Sequence, residues 1–333
     1  MPGNRMYSVV VPVYGNAESL PELVRALAEV DRVVRERFST PLEAVFVDDA
    51  SPDESYKLLE RLLPSVPFSS KLVLHARNFG SFAAIRTGLK IATGPYFGMI
   101  AADLQEPPEL LVSFLTNLVT NENDIVVGIR IARDDPLASR ALADLFWRFF
   151  RALVIREIPA GGVDLFGCNR QVRNELLKLE EANSSLVGLV FWLGFRRKEV
   201  PYERRVRKYG KSAWTFRRKF KYVVDSIFAF TDLPIRLLTL FGIVGVTISA
   251  VFGLIVLVAR LLGEIDVPGY AAIILTVMFF SALNMMGIGI VGAYVWRSYE
   301  NTKHRPLAVV RQYRTFAGAE QPTNGQELTK QVR

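Results

Sequence analysis

The sequence predicts an α/β fold with a mostly parallel sheet, followed by an amphipathic interfacial helix and two transmembrane helices. Three observations carry this. Short β-branched runs alternate with helix-length segments through the first part of the chain. Two nearly uncharged apolar stretches in the last third each exceed the roughly 20 residues that cross a hydrocarbon core. Between them and the first part, aromatic and cationic residues interleave at helical spacing.

The elements follow in order. Tyr7-Ser8-Val9-Val10-Val11-Pro12-Val13 reads as the first strand, and a helix is expected over about 20–38. Leu42 to Val47 forms a second strand that ends in Asp48-Asp49. Ser51 then looks like a helix cap, with Pro52 at the first helical position. Lys71-Leu72-Val73-Leu74 is a third strand, and Phe79-Gly80 leads into a helix through about Ala92. Tyr96 to Ala102 is a fourth strand, with Pro107-Pro108-Glu109 opening the next helix. Asp124 to Gly128 is the fifth. Strands separated by such helices imply parallel pairing with right-handed crossovers.

The apolar stretches are Leu237–Leu262 and Tyr270–Trp296. The link between them, Gly263 to Gly269, is short and acidic. The outer flanks are basic: Arg217, Arg218, Lys219, Lys221 and Arg236 before, Arg297, Lys303, Arg305, Arg311 and Arg314 after. This asymmetry puts both termini in the cytoplasm and makes the protein a multi-pass protein of the inner (plasma) membrane. Trp214 to Val224 reads as a helix in the headgroup layer. A basic stripe also suits nucleic acid, but two adjacent spans favour lipid, so no nucleic-acid partner is expected. The division expected is a catalytic domain over 1–212, a juxtamembrane region over 213–236, two spans over 237–296 and a tail over 297–333.

Composition narrows the chemistry. Of 333 residues, half are hydrophobic and the net charge is +8, a pairing unusual for a soluble enzyme. Cys168 is the single cysteine, which excludes an intramolecular disulfide and a Cys₄ zinc site. Two histidines, His75 and His304, argue against a His-ligated metal. The first strand begins almost at once, so no signal peptide is expected. No GxGxxG or Walker A loop follows it.

The most informative stretch is Asp103-Leu104-Gln105-Glu106-Pro107-Pro108-Glu109, directly after the fourth strand. Ligands of open α/β sheets bind at the carboxyl ends of strands. A carboxylate and an amide oxygen there suit Mg²⁺ or Mn²⁺ escorting a diphosphate. An acidic turn with a helix cap uses the same residue types.

Together these motifs resemble a family 2 glycosyltransferase of GT-A fold, and more narrowly the polyprenyl-phosphate glycosyltransferases, from about Tyr7 to Val310. Val10 to Glu18, containing Pro12, Tyr14 and Glu18, resembles the strand motif of the nucleotide pocket. Val47-Asp48-Asp49-Ala50-Ser51 resembles the motif whose acids hold base and ribose. Arg77-Asn78-Phe79-Gly80 matches the family's Arg-Asn-Phe-Gly segment, and Asp103 to Glu109 its metal motif, with Asp103 and Gln105 as ligands. Tyr202 to Ser212, containing Arg204, Arg207, Lys211 and Ser212, resembles an Arg-rich segment that meets phosphate. Tyr299 to Leu307 resembles the tail after the second span.

The resemblance implies transfer of a sugar from a nucleotide sugar, a UDP-sugar first, to undecaprenyl or a related polyprenyl phosphate. Arg130, Arg133 and Arg140 would gather the acceptor phosphate, since guanidinium matches phosphate bidentately. Asp164 would face the sugar or acceptor. The sequence departs from the family in three places. Ala101 replaces an acid of the usual Asp-x-Asp. Gly210-Lys211-Ser212-Ala213 shifts the cation relative to the serine, and Gly162-Val163-Asp164 replaces Gly-Asp-Phe. Two rivals stay open: a transferase using another lipid or glycan acceptor, and a weakly active or inactive homologue acting as a binding or assembly subunit. Gly287, Gly289 and Gly292 would allow close helix packing, so a homo-oligomer is expected.

Overall fold

The computed structural model describes residues 6–131, 157–159, 163–181, 184–209, 216–262 and 269–318. It divides into two compact units, Met1–Lys219 with Pro306–Arg333, and Phe220–Arg305.

The first unit is an eight-stranded sheet with helices on its faces. Its elements are β1 (Tyr7–Val13), α1 (Leu20–Phe38), β2 (Leu42–Asp48), α2 (Ser55–Leu62), β3 (Ser69–His75), α3 (Ser81–Ile91), β4 (Tyr96–Met99), α4 (Glu109–Val119), β5 (Ile125–Arg130), β6 (Val163–Asn169), α5 (Arg170–Lys178), α6 (Leu186–Trp192), β7 (Arg197–Tyr202) and, late in the chain, β8 (Val310–Phe316). The strand order is β7-β5-β6-β4-β1-β2-β3-β8. Pairing is parallel for β1–β2, β1–β4, β2–β3 and β5–β7. It is antiparallel where β6 joins β4 and β5 and where β8 joins β3.

The first four strands read from the sequence are neighbours in the sheet, in the order β4-β1-β2-β3, and burial explains why they read so clearly. β1 and β2 are buried along nearly their whole length, so their β-branched runs face packed helices on both sides. Val9, Val11 and Val13 join a core with Leu20, Leu23, Leu27 and Val34 of α1. Val10 points the other way, where a Cβ on Gly88 of α3 would sit 2.3 Å from its Cγ1. Three strands were not anticipated: β6, β7 and β8. The fifth strand is correspondingly displaced, because β6 lies between it and β4. Helix α2 starts at Ser55, four residues after the expected cap. Ser51 instead accepts from Gly15 N at 3.1 Å and donates its own N–H to Asp48, so it ties two loops together.

The second unit holds most of α7 (Phe216–Phe230), then α8 (Leu233–Leu261) and α9 (Tyr270–Thr302). Leu233–Phe252 and Thr276–Thr302 are long and apolar enough to cross a membrane. Their apolar side chains are largely exposed, as lipid-facing residues would be. Gly287 packs against Leu238, whereas a Cβ on Gly289 or Gly292 would meet nothing within 4 Å. Asp225 of α7 pairs with Arg297 of α9 at 2.7 Å, and that guanidinium lies over the Phe228 ring. Lys303 sits over both Trp296 and Tyr299, at 5.0 and 4.2 Å from the ring centroids.

Candidate active site

Five chain segments meet at the carboxyl ends of the parallel strands: the loops after β1, β2, β3 and β4, and the run that follows β7. Their cross-links are mostly side chain to backbone. Gly15, with φ +67°, makes the turn after β1. Asn16 N donates to Ser55 Oγ, and Ala17 N donates to Asp53 Oδ2. Ser19 Oγ donates to the Ala102 carbonyl at 2.6 Å, tying the loop after β1 to that after β4. Ala50 and Leu104 both adopt φ +57°, so the chain kinks left-handed immediately after Asp49 and again after Asp103. The surrounding hydrogen bonds hold these two unusual non-glycine conformations.

Asp48 and Asp49 are both buried, but their carboxylates have different surroundings. Asp48 Oδ1 accepts from Ser51 N at 2.8 Å, while its buried Oδ2 has no hydrogen-bond partner among the described residues. Burial pushes this carboxyl above the ordinary range, against the pull of Ser51. Asp49 differs from the ligand-facing acid expected: its oxygens take His75 Nδ1 and the N–H groups of Phe79 and Gly80, at 2.8, 2.8 and 2.7 Å. Its carboxylate is turned inward to the loop that bears Arg77 and Asn78. Arg77 is exposed and its guanidinium lies 4.4 Å from the Phe79 ring centroid.

Asp103 is 9 % exposed. Its Oδ2 accepts from Arg207 Nη2 at 2.5 Å, and Gln105 Oε1 accepts from the same nitrogen at 3.2 Å. Gln105 Oε1 also accepts from Arg204 at 2.7 Å, and Arg204 Nε lies 3.6 Å from the buried Glu106. The run after β7 is held in place by Arg205 N to the Gln105 carbonyl, and by Lys208 and Tyr209 on Glu22 of α1. A carboxylate and an amide oxygen thus converge on one cationic nitrogen, the geometry that two hard donors need to share a cation. Among the described residues no three His, Cys, Asp or Glu side chains form a metal-holding group. A divalent ion here would have Asp103 and Gln105 from the protein, with further oxygens from a diphosphate.

Of the other candidates, Pro12 is half-buried in β1, and Tyr14 and Glu18 are exposed on the loop after it. Arg130 ends β5, opposite Tyr202 at the end of β7. Asp164 lies on β6, where the pairing with β5 shifts register between Gly128 and Ile129. Arg133, Arg140, Lys211 and Ser212 lie outside the described residues. Sequence reasoning missed Asp53, Glu106 and His75. The first two sit beside motif acids, and His75 closes a strand that ends beside Asp49.

The sequence profile of glycosyl transferase family 2 matches residues 8–179. Relatives align over nearly the whole chain. A Bacillus subtilis (strain 168) protein named uncharacterized glycosyltransferase YkcC is 30% identical over 309 residues, covering 92% of this chain and 93% of its own. The prophage bactoprenol glucosyl transferase homolog of Escherichia coli (strain K12) is 27% identical, covering 91% and 98%. The undecaprenyl-phosphate 4-deoxy-4-formamido-L-arabinose transferase of Klebsiella pneumoniae (strain 342) is 28% identical, covering 96% and 98%. The chain belongs to glycosyltransferase family 2, and its mostly parallel α/β sheet is a GT-A fold.

Proposed function

We propose that this glycosyltransferase moves a sugar from a nucleoside diphosphate sugar, a UDP-sugar first, onto polyprenyl phosphate. The observation that carries the reading is the convergence of Asp103 and Gln105 on the Arg207 guanidinium at the carboxyl ends of the parallel strands. Full-length similarity to proteins named for bactoprenol and undecaprenyl phosphate supports the acceptor.

An acceptor phosphate monoester, with a second pKa of about 6, is an anion near neutral pH. Its oxygen attacks the anomeric carbon while the bond to the diphosphate breaks, and the nucleoside diphosphate leaves with the electron pair. The anomeric centre inverts, and no strong general base is required. The developing charge on the leaving group calls for fixed cations, supplied here by Arg204 and Arg207. A bound Mg²⁺ or Mn²⁺ would be held by Asp103 and Gln105 and would neutralise diphosphate charge. Asp48 offers a buried acceptor oxygen to a base N–H or a ribose hydroxyl. Arg130, Arg133 and Arg140 would orient the acceptor phosphate. The two apolar helices would span the inner membrane with both termini cytoplasmic, and the protein would self-associate.

The test is transfer of label from a panel of nucleotide sugars to undecaprenyl phosphate by the purified full chain in detergent. Transfer from one donor, abolished by EDTA and lowered about 10³-fold or more by Asp103→Ala, is the expected result. Ala101, in place of a second acid, favours one alternative: a binding or assembly subunit with no turnover. A folded protein that transfers from no donor establishes that alternative instead. Turnover without polyprenyl phosphate points to another acceptor.

A further inference from the structure

His75 is 1 % exposed at the carboxyl end of β3, and it bridges three elements. Its Nδ1 lies 2.8 Å from Asp49 Oδ1, after β2, and its Nε2 lies 3.0 Å from Thr87 Oγ1 on α3. An ionised carboxylate only accepts, so Nδ1 carries the proton on that side. Asp49 in turn takes the N–H groups of Phe79 and Gly80, the first of them through the oxygen it shares with His75. Gly80, at φ +98°, begins α3 there. The Phe79 ring stands edge-on to the imidazole, with centroids 5.6 Å apart, and supports Arg77 on its other contact. On the outer side, Val309 O accepts from Ala76 N at 2.9 Å, just before β8 pairs with β3. The loop over 76–80 is therefore braced from beneath by a buried imidazole–carboxylate pair and from the flank by the returning chain.

We propose that His75 is a positioning residue for donor binding: through Asp49 it fixes the backbone of Phe79 and Gly80, and through the Phe79 ring it sets the exposed Arg77 guanidinium. A histidine that only fills the core would stabilise the sheet without affecting a ligand. A histidine acting through this chain of contacts shares its effect with Arg77. The inference rests on the nucleotide-sugar reading above.

The experiment is calorimetric titration of UDP, with Mn²⁺, into the full chain in detergent, for wild type, His75→Ala, His75→Asn, Thr87→Val, Arg77→Ala and His75→Ala/Arg77→Ala. Losing the hydrogen bond that orients the Asp49 carboxylate under the loop should weaken UDP binding about tenfold in His75→Ala. Asn, which keeps a donor for Asp49, should recover most of that, and Thr87→Val should lose less than His75→Ala. The double variant should bind within about twofold of the weaker single variant, the mark of residues acting as one unit. The KM for the lipid phosphate should stay unchanged. Unaltered UDP affinity in His75→Ala, or losses that simply add in the double variant, overturns the proposal. If His75→Ala does not fold, Thr87→Val and His75→Asn carry the same comparison with Arg77→Ala. A wild-type protein that binds no UDP, GDP, CDP or dTDP refutes the donor reading itself, whereas wild-type binding with His75→Ala unchanged refutes only the positioning role.

Discussion

Strand β2 carries a buried acid near each end, and the two are treated oppositely. Glu43, near the amino end, receives Ser8 Oγ at 2.5 Å, Thr93 N and Thr93 Oγ1 at 2.8 Å each, and Lys71 Nζ at 2.7 Å. Asp48, at the carboxyl end, has one oxygen bonded to Ser51 N and the other with no described partner. Burial works against ionisation of Glu43, but Lys71, Ser8 and Thr93 prevail and hold it below the ordinary carboxylate range. For Asp48 burial prevails and the shift is upward. Five residues apart on one strand, the first acid is a clamp and the second an unsatisfied acceptor at the carboxyl end of the strand. A buried charge that is fully paired serves the fold; one left partly unpaired lowers stability and is retained where a ligand completes it.

The largest expected effect tests the clamp. Glu43→Ala leaves the mostly buried Lys71 with no counter-charge and only the Ile91 carbonyl as acceptor, and should cost about 3 kcal/mol in denaturant unfolding. The UDP affinity of the folded protein should not change. A large loss of affinity without loss of stability would erase the contrast between the two ends.

The next test exploits the opposite signs. Asp48→Asn removes a carboxyl whose folded pKa is raised, so its unfavourable ionisation in the folded state disappears. The variant should melt at the same or a higher temperature near neutral pH, while UDP binding weakens about tenfold. A pH series sharpens this. The contribution of Glu43, whose pKa is depressed, is present above its unfolded value of about 4.3 and fades as pH falls through the folded value. That of Asp48 runs the other way: it favours folding below about 3.9 and is lost as pH rises through its raised folded value. The Asp48→Asn stability advantage should therefore shrink on acidification. A further test concerns Gly80, at φ +98° and ψ 158° in a region essentially reserved for glycine, where alanine should cost about 1–3 kcal/mol of stability by thermal melting, with weaker UDP binding through the displaced loop.

The legible part of the fold was the part buried on both faces. β1 through β4 announce themselves because continuous Val, Leu and Phe runs need helices above and below, and Pro107-Pro108-Glu109 starts α4 within two residues of expectation. β7 and β8 escaped because they are edge strands whose charged and polar residues break any apolar run, with one side against neighbours and the rest exposed. β6 escaped because Asp164, Gly167 and Asn169, residue types depleted in strands, interrupt its apolar run. In the site, Asp103, Gln105, Arg204 and Arg207 were read from motif and do meet, about a hundred residues apart in sequence. The inward turn of Asp49 was not legible, because it depends on His75 at the end of a different strand. Adjacent Asp48 and Asp49 look alike in sequence and part company only when β3 and α3 are in place.

The register of β8 against β3 also bears on how the protein is made. The sheet is closed by residues 310–316, which leave the ribosome only after α8 and α9 have been synthesised. Until then the edge of β3, running from Ser70 to His75, has unpaired backbone N–H and C=O groups, and unfinished edges of this kind recruit strands from other chains. Nascent chains would therefore be most vulnerable to misassembly while their apolar helices are being synthesised, and release at residue 305 would leave them so permanently.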